Sequence, residues 1–273
     1  MLDAGDMKKL LLELSPEIPW AHHFEVSGVH TISPDKDEKF FRKATGLKEL
    51  GHLALRLAKA YSTGNSITGK SILDIASGEG GHSMAFAQAG AGKVLGVEGR
   101  DLYFRRATAI ARAMDVTNAT FRLGDVRHLT PADTGQFDIT LCFGILHHLG
   151  QNDFSAFLKS MGALTNDMMI LYTHVANEKV ARDYALKGPV TLESGYKGWL
   201  FREHADGASD KEKINQVRAS LDNTFSFWAD NESLVKALKK SGFKSVLKVY
   251  EPHVFGGMDN RDFRQVVIAK KDV

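Results

Sequence analysis

The chain has a single cysteine in 273 residues. One thiol closes no disulfide within a chain and forms no cysteine cluster for a metal. Cys142 also lies within an apolar run that reads as a buried strand, so a reducing, cytoplasmic setting is expected. Charge of one sign is lacking too: acids and bases are interspersed and the net charge is +2. Nothing in that balance points to a nucleic-acid or membrane partner. No apolar run is long enough to span a bilayer. The opening Met1–Leu14 carries Asp3 and Asp6 and only a short apolar stretch, unlike a secretory leader. Internal repeats and low-complexity segments are likewise missing. Three histidines, His22, His23 and His30, fall close together, but no carboxylate or cysteine accompanies them at a zinc spacing, and no metal is expected.

What is present is concentrated in Leu73–His82. An apolar run starting at Ser71 breaks into small residues that open directly into a helix, the arrangement by which a strand delivers a ligand to helix-terminal amides. Ala76 and Ser77 keep the turn small, and Gly78 and Gly80 allow close backbone approach. A dinucleotide fingerprint would need a third glycine where Ser83 stands. A triphosphate loop would need a Gly-Lys-Ser/Thr ending that is missing. Asp74 separates the remaining ligands. A carboxylate about 5 Å from a phosphate costs roughly 3 kcal/mol at an effective dielectric near 20, whereas it helps to hold an ammonium. That favours S-adenosylmethionine, cationic at its amino-acid end and its sulfonium.

On the residues Asp74-Ile-Ala76-Ser-Gly78-Glu-Gly80, Val94-Leu-Gly-Val-Glu98 and Phe121-Arg-Leu-Gly-Asp125-Val126, the chain resembles the class I S-adenosylmethionine-dependent methyltransferases, from about Ser71 to Lys270. Ala76 replaces the family's first glycine, a small-for-small change expected to leave the turn intact. The resemblance implies that Glu98 takes the ribose hydroxyls, that Asp125 lies beside the adenine amino group, and that the Val126 amide faces the ring. It also implies that Gly99, Cys142 and Phe143 adjoin the cofactor and that the product is S-adenosylhomocysteine.

The rest of the chain reads as α/β, a Rossmann-like seven-stranded mixed sheet with helices on both faces. Residues 1–46 read as an N-terminal cover and 47–273 as the methyltransferase domain. Met7, Leu10, Leu11 and Leu14 predict a short amphipathic helix, and alternation around Gly28 predicts an extended hairpin. Leu50, Ala54, Leu57 and Tyr61 predict a helix lying on the sheet, and Asp101 and Asp230 are candidate helix caps. Strands are expected at Phe137–Gly144 and Met168–Val175. Alternation stops between about 176 and 229, read as a lid inserted after the fifth strand. Val246–Tyr250 and Arg264–Ala269, with no crossover helix between them, must be antiparallel, the terminal hairpin of the resembled fold.

Methyl transfer rewards positioning, and a general base helps if the nucleophile must lose a proton. His147, after the fourth strand, is the first candidate for that base. Trp20, His22, His148, His174, Tyr196, Trp199 and Trp228 are candidate acceptor contacts, and converging aromatics would suit a planar or cationic acceptor. For any one of these rings, packing within its own segment is the competing role. An Asn/Asp-Pro-Pro-Tyr/Phe tetrapeptide is absent after the fourth strand, which argues against amino methylation of nucleic acids. The leading reading is methylation of oxygen or nitrogen on a small molecule. A Trp-x-His similarity at Trp20–His22 to relatives of the tRNA wobble-uridine carboxymethylating enzymes keeps a tRNA-modifying reading open. So does a non-catalytic cofactor-binding module, while Asp74, Ser83 and the terminal hairpin argue against a nicotinamide oxidoreductase.

Overall fold

The computed structural model describes residues 1–14, 18–33, 37–250 and 263–271. They fall into two compact units, one built on Met1–Val126 and the other on Arg127–Tyr250 with the C-terminal strand. The Pro252–Asp262 connection lies outside the described residues.

The first unit opens with α1 (Ala4–Glu13), whose N-cap Asp3 accepts the Asp6 amide and which buries Met7. Strands β1 (Glu25–Val26) and β2 (Val29–His30) pair antiparallel. The turn residues Ser27 and Gly28 both take positive φ, 50° and 74°, the geometry that matches a tight hairpin to strand twist. Helix α2 spans Glu38–Tyr61 and therefore begins well upstream of Leu50, the first of the periodic apolar positions. Its buried stripe is Leu50, Leu53, Ala54 and Ala58, and Tyr61 is exposed, because the helix ends there before a further turn can pack. Three parallel strands follow, β3 (Ser71–Ile75), β4 (Lys93–Glu98) and β5 (Ala119–Leu123), connected by α3 (Gly81–Gln88) and α4 (Asp101–Ala113). Asp101 does not cap α4: Arg100 occupies the cap position and the Asp101 carboxylate instead accepts from Arg105 Nε at 2.8 Å, one turn on.

The second unit holds α5 (Pro131–Thr134), β6 (Phe137–Phe143), α6 (Phe154–Leu164) and β7 (Thr165–His174), the last starting earlier than its apolar run suggested. The inserted segment contains α7 (Glu178–Asp183), β8 (Lys187–Thr191), β9 (Lys197–Arg202), α8 (Asp210–Asn215) and β10 (Phe225–Ala229), its strands forming an antiparallel sheet in the order β10-β9-β8. Asp230 caps α9 (Asn231–Lys240) by accepting the Ser233 amide at 2.7 Å. Strands β11 (Ser245–Val249) and β12 (Arg264–Lys270) make the terminal antiparallel hairpin, with β12 also antiparallel to β7. The seven-stranded sheet has the order β11-β12-β7-β6-β3-β4-β5, a mixed sheet of the Rossmann-like methyltransferase kind. Among the described residues, no helix is long and apolar enough to cross a membrane.

Helices α6 and α9 approach so closely that a Cβ on Gly162 would collide with the Ser241 carbonyl oxygen. Overpacking of this kind costs about 1–3 kcal/mol. Gly162→Ala is expected to lower the urea midpoint accordingly, and an unchanged midpoint would show that the helices have room to spare.

Candidate functional site

Strand β3 runs directly into a tight turn in which Ala76, Gly78 and Gly80 all take positive φ, at 56°, 56° and 79°. The turn forms with alanine at its first position, but a left-handed alanine carries about 1–2 kcal/mol of strain that a glycine would not. Gly80 and Gly96 are required for a different reason. A Cβ on either would fall 2.6 Å from the Phe121 ring, so that ring fixes the depth of the turn.

Two acids are held to this turn. Asp74 is almost wholly buried and accepts the Ser83 hydroxyl at 2.6 Å. Burial pushes its carboxyl up to about 6, against the Ser83 hydrogen bond and the nearby His22. Ser83, standing where a dinucleotide fingerprint would have glycine, thus serves Asp74. Glu98 at the end of β4 accepts the Gly78 amide on Oε2 at 2.9 Å and the Arg100 amide on Oε1 at 2.8 Å. Its carboxyl is raised by burial, while the amides of Arg100, Gly78 and Gly99 pull the other way. The Gly124 amide donates to the Glu98 carbonyl at 2.9 Å, which sets Asp125 and the buried Val126 just past the end of β5. Asp74, Ala76, Ser77, Gly78, Gly80, Glu98, Gly99, Asp125 and Val126 therefore belong to one set of strand ends.

Glu79, between the two glycines, was not singled out from the sequence. It is fully buried and accepts the Ala21 and His22 amides on Oε2, at 2.9 and 2.8 Å, and Arg106 Nη1 on Oε1 at 2.8 Å. Arg106, also fully buried, donates to the Leu14 and Ile18 carbonyls, at 3.1 and 2.6 Å from Nη2, and lies 4.4 Å over the Trp20 ring. Trp20 is consequently a packing partner of Arg106. His22 rests on the helix start, where a Cβ on Gly81 would strike its ring. His22, Leu47, Gly51, His82 and Met84 are among the residues lining a cavity of about 290 Å³.

In the second unit, Cys142 is wholly buried in β6 and Phe143 lies opposite Tyr172 of β7. The turn after β6 carries His147 and His148. His147 is buried and stacked on His174 with ring centres 3.7 Å apart, and its Nδ1 accepts the His174 amide at 3.2 Å. Burial, then His174, His148 and Arg264, hold it well below the usual histidine range, and burial with Arg264 brings His174 down to about 3. His148 Nδ1 lies 2.8 Å from Glu203 Oε1. The aromatic rings pack against one another and their neighbours. Trp228 stacks between Phe201 (4.9 Å) and Phe263 (6.0 Å), donates its indole N–H to the His147 carbonyl, and shares a core with Trp199. Tyr196 packs edge-on to Phe154. A short inserted segment needs an apolar core of its own, and these rings supply it.

Leaving Glu79 buried without its guanidinium and the Leu14 and Ile18 carbonyls without their donor is expected to cost about 3–5 kcal/mol. Arg106→Met should show that loss in urea unfolding, and a loss within experimental error would mean that water reaches the pair. Ala76→Gly should instead stabilise the chain by about 0.5–1 kcal/mol, relief of left-handed strain outweighing the added freedom of the unfolded glycine. A lowered midpoint would contradict the strained turn.

Residues 72–167 match the family described as "Methyltransferase domain". No curated protein matches the chain. Among solved structures, the N-terminal domain of EvdMO1 with S-adenosylhomocysteine and D-fucose is 25% identical, with a TM-score of 0.72 over 99% of this chain and 97% of that one. The chain spans about half of the longer EvdMO1 structure, 48% of its length. Magnesium protoporphyrin IX methyltransferase from Synechocystis PCC 6803, with bound S-adenosylhomocysteine, is 16% identical with a TM-score of 0.55 and shares the fold, over 86% of this chain and 87% of that one. With the acid-bearing ends of β3, β4 and β5 and the terminal antiparallel hairpin, these matches identify the chain as a class I S-adenosylmethionine-dependent methyltransferase.

Proposed function

We propose that the enzyme methylates a hydroxyl group of a small, polar, sugar-like acceptor. The cofactor fits the residues present. Among the described residues, Ser77 Oγ and both ring nitrogens of His22 are buried beside the glycine turn without a hydrogen-bond partner, His22 Nδ1 lying 3.5 Å from Glu79 Oε2, and the turn leaves no Cβ at Gly78 or Gly80. In this reading Glu98 accepts the ribose hydroxyls, Asp125 and the Val126 amide meet the adenine, and Asp74 holds the ammonium. S-adenosylmethionine supplies a methyl group already activated by its sulfonium, so the protein contributes chiefly positioning, which can be worth about 7–11 kcal/mol.

The observation that carries the acceptor class is what surrounds the turn after β6. The insertion's aromatic rings are consumed in their own core. Partly accessible side chains nearby are polar: His148, paired with the buried Glu203 carboxylate, Asn223, whose Nδ2 donates to the His148 carbonyl, and Arg127, which pairs with Asp222 at 2.6 Å and Asp153 at 3.4 Å. Such a surface suits a polyhydroxylated molecule better than a flat aromatic or a cation. The 25% identical EvdMO1 domain, solved with D-fucose, supports the same class.

Incubation with S-adenosylmethionine and D-fucose, followed by mass spectrometry, should show a singly methylated sugar. Methylation confined to phenols or amines in a parallel panel would overturn the reading. A second prediction concerns pH. Asp74 titrates near 6 in the free protein, and an ammonium favours its ionised form, so binding releases a proton. Cofactor affinity should therefore tighten as pH rises through about 6 and lose that slope in Asp74→Asn. An identical slope in the variant would remove Asp74 from the ammonium contact.

A further inference from the structure

We propose that His148 is the general base of this transfer and Glu203 its positioning residue, an assignment that rests on the hydroxyl acceptor proposed above. Glu203, just past β9, keeps only 2% of its side chain exposed. Its Oε2 accepts the Ser220 amide at 3.1 Å and its Oε1 faces His148 Nδ1 at 2.8 Å. A carboxylate only accepts hydrogen bonds, so Nδ1 carries the proton and Nε2 presents its lone pair. His148 keeps 23% of its side chain exposed, and Nε2 has no hydrogen-bond partner among the described residues.

Its neighbour has the opposite arrangement. His147 Nδ1 is the acceptor, taking the His174 amide, so in the neutral ring Nε2 carries the hydrogen. His147 therefore offers a donor at its remaining nitrogen, and burial keeps the ring neutral. Among the described residues, the charged and titratable groups around the pair are His147, with its ring 4.5 Å from that of His148, His174, Arg264, and Glu203, the anion in direct contact with His148.

In the step assigned to His148, the acceptor oxygen forms a bond to the methyl carbon, the carbon–sulfur pair stays on sulfur as a neutral thioether, and the hydroxyl proton passes to Nε2. The imidazolium so formed faces the Glu203 carboxylate, and its exposed edge can return the proton to water.

Two measurements test the assignment. Long-range ¹H–¹⁵N NMR of the ring-labelled wild-type protein should show His148 as the Nδ1–H tautomer, reverting in Glu203→Ala to the Nε2–H form favoured by free imidazole. A wild-type Nε2–H tautomer would overturn the dyad. With D-fucose as acceptor, His148→Ala should lower kcat by about 10²–10⁴-fold, leave S-adenosylmethionine affinity unchanged and recover turnover with added imidazole. A His148→Ala enzyme as fast as wild type would also overturn the assignment. Should wild-type enzyme leave D-fucose unmethylated, the acceptor reading fails, and the tautomer measurement still decides the dyad.

Discussion

Glu79 and Arg106 sit 2.8 Å apart with neither side chain touching solvent. Removing both charges from water is expensive enough that the pair persists only if every remaining lone pair and N–H finds a partner. The chain satisfies that condition by bringing its own N-terminal segment to the site. The carbonyls of Leu14 and Ile18 take the guanidinium hydrogens, and the amides of Ala21 and His22 take the carboxylate lone pairs. Since Glu79 lies between Gly78 and Gly80, the requirement that fixes the cover also fixes the glycine turn. Cover and turn are two ends of one hydrogen-bond network, and loosening either exposes a buried charge.

The second unit repeats this logic around Glu203. The Ser220 amide and His148 satisfy its carboxylate, while the Trp228 indole and the Asn223 amide hold the carbonyls of His147 and His148. The inserted segment is thereby tied to the turn after β6. In methyl transfer, where the electrophile arrives already activated, such rigidity is what a protein can most usefully add. A base with a fixed tautomer extends the same economy, because orienting a lone pair in advance removes a reorganisation from the barrier.

Sequence pattern carried most of the fold. The acid-ended strands at Asp74, Glu98 and Asp125, the Gly28 hairpin and the antiparallel end were legible because backbone demands leave local marks: a small residue at a tight turn, period-2 alternation, a connection with no crossover helix. The side-chain networks were not legible. Glu79 occupies the variable position of a glycine motif, Arg106 falls on a helix face otherwise read from its apolar residues, and Glu203 lies 55 residues from His148. No local pattern announces a pairing made only by tertiary packing. The surroundings of the aromatic rings were hidden for a related reason. Composition gathers Tyr196, Trp199 and Trp228 into one segment, but only packing decides whether rings face a ligand or each other, and here they face each other. The left-handed Ala76 was likewise hidden, since alanine is a small residue in a sequence and a strained one only at its observed φ of 56°.

Calorimetric titration of the purified protein with S-adenosylmethionine and S-adenosylhomocysteine, with NADH in parallel, tests the central claim most directly. The account predicts saturable binding of both sulfur compounds and none of NADH. Binding of NADH, or a folded protein that takes up neither sulfur compound, would contradict it.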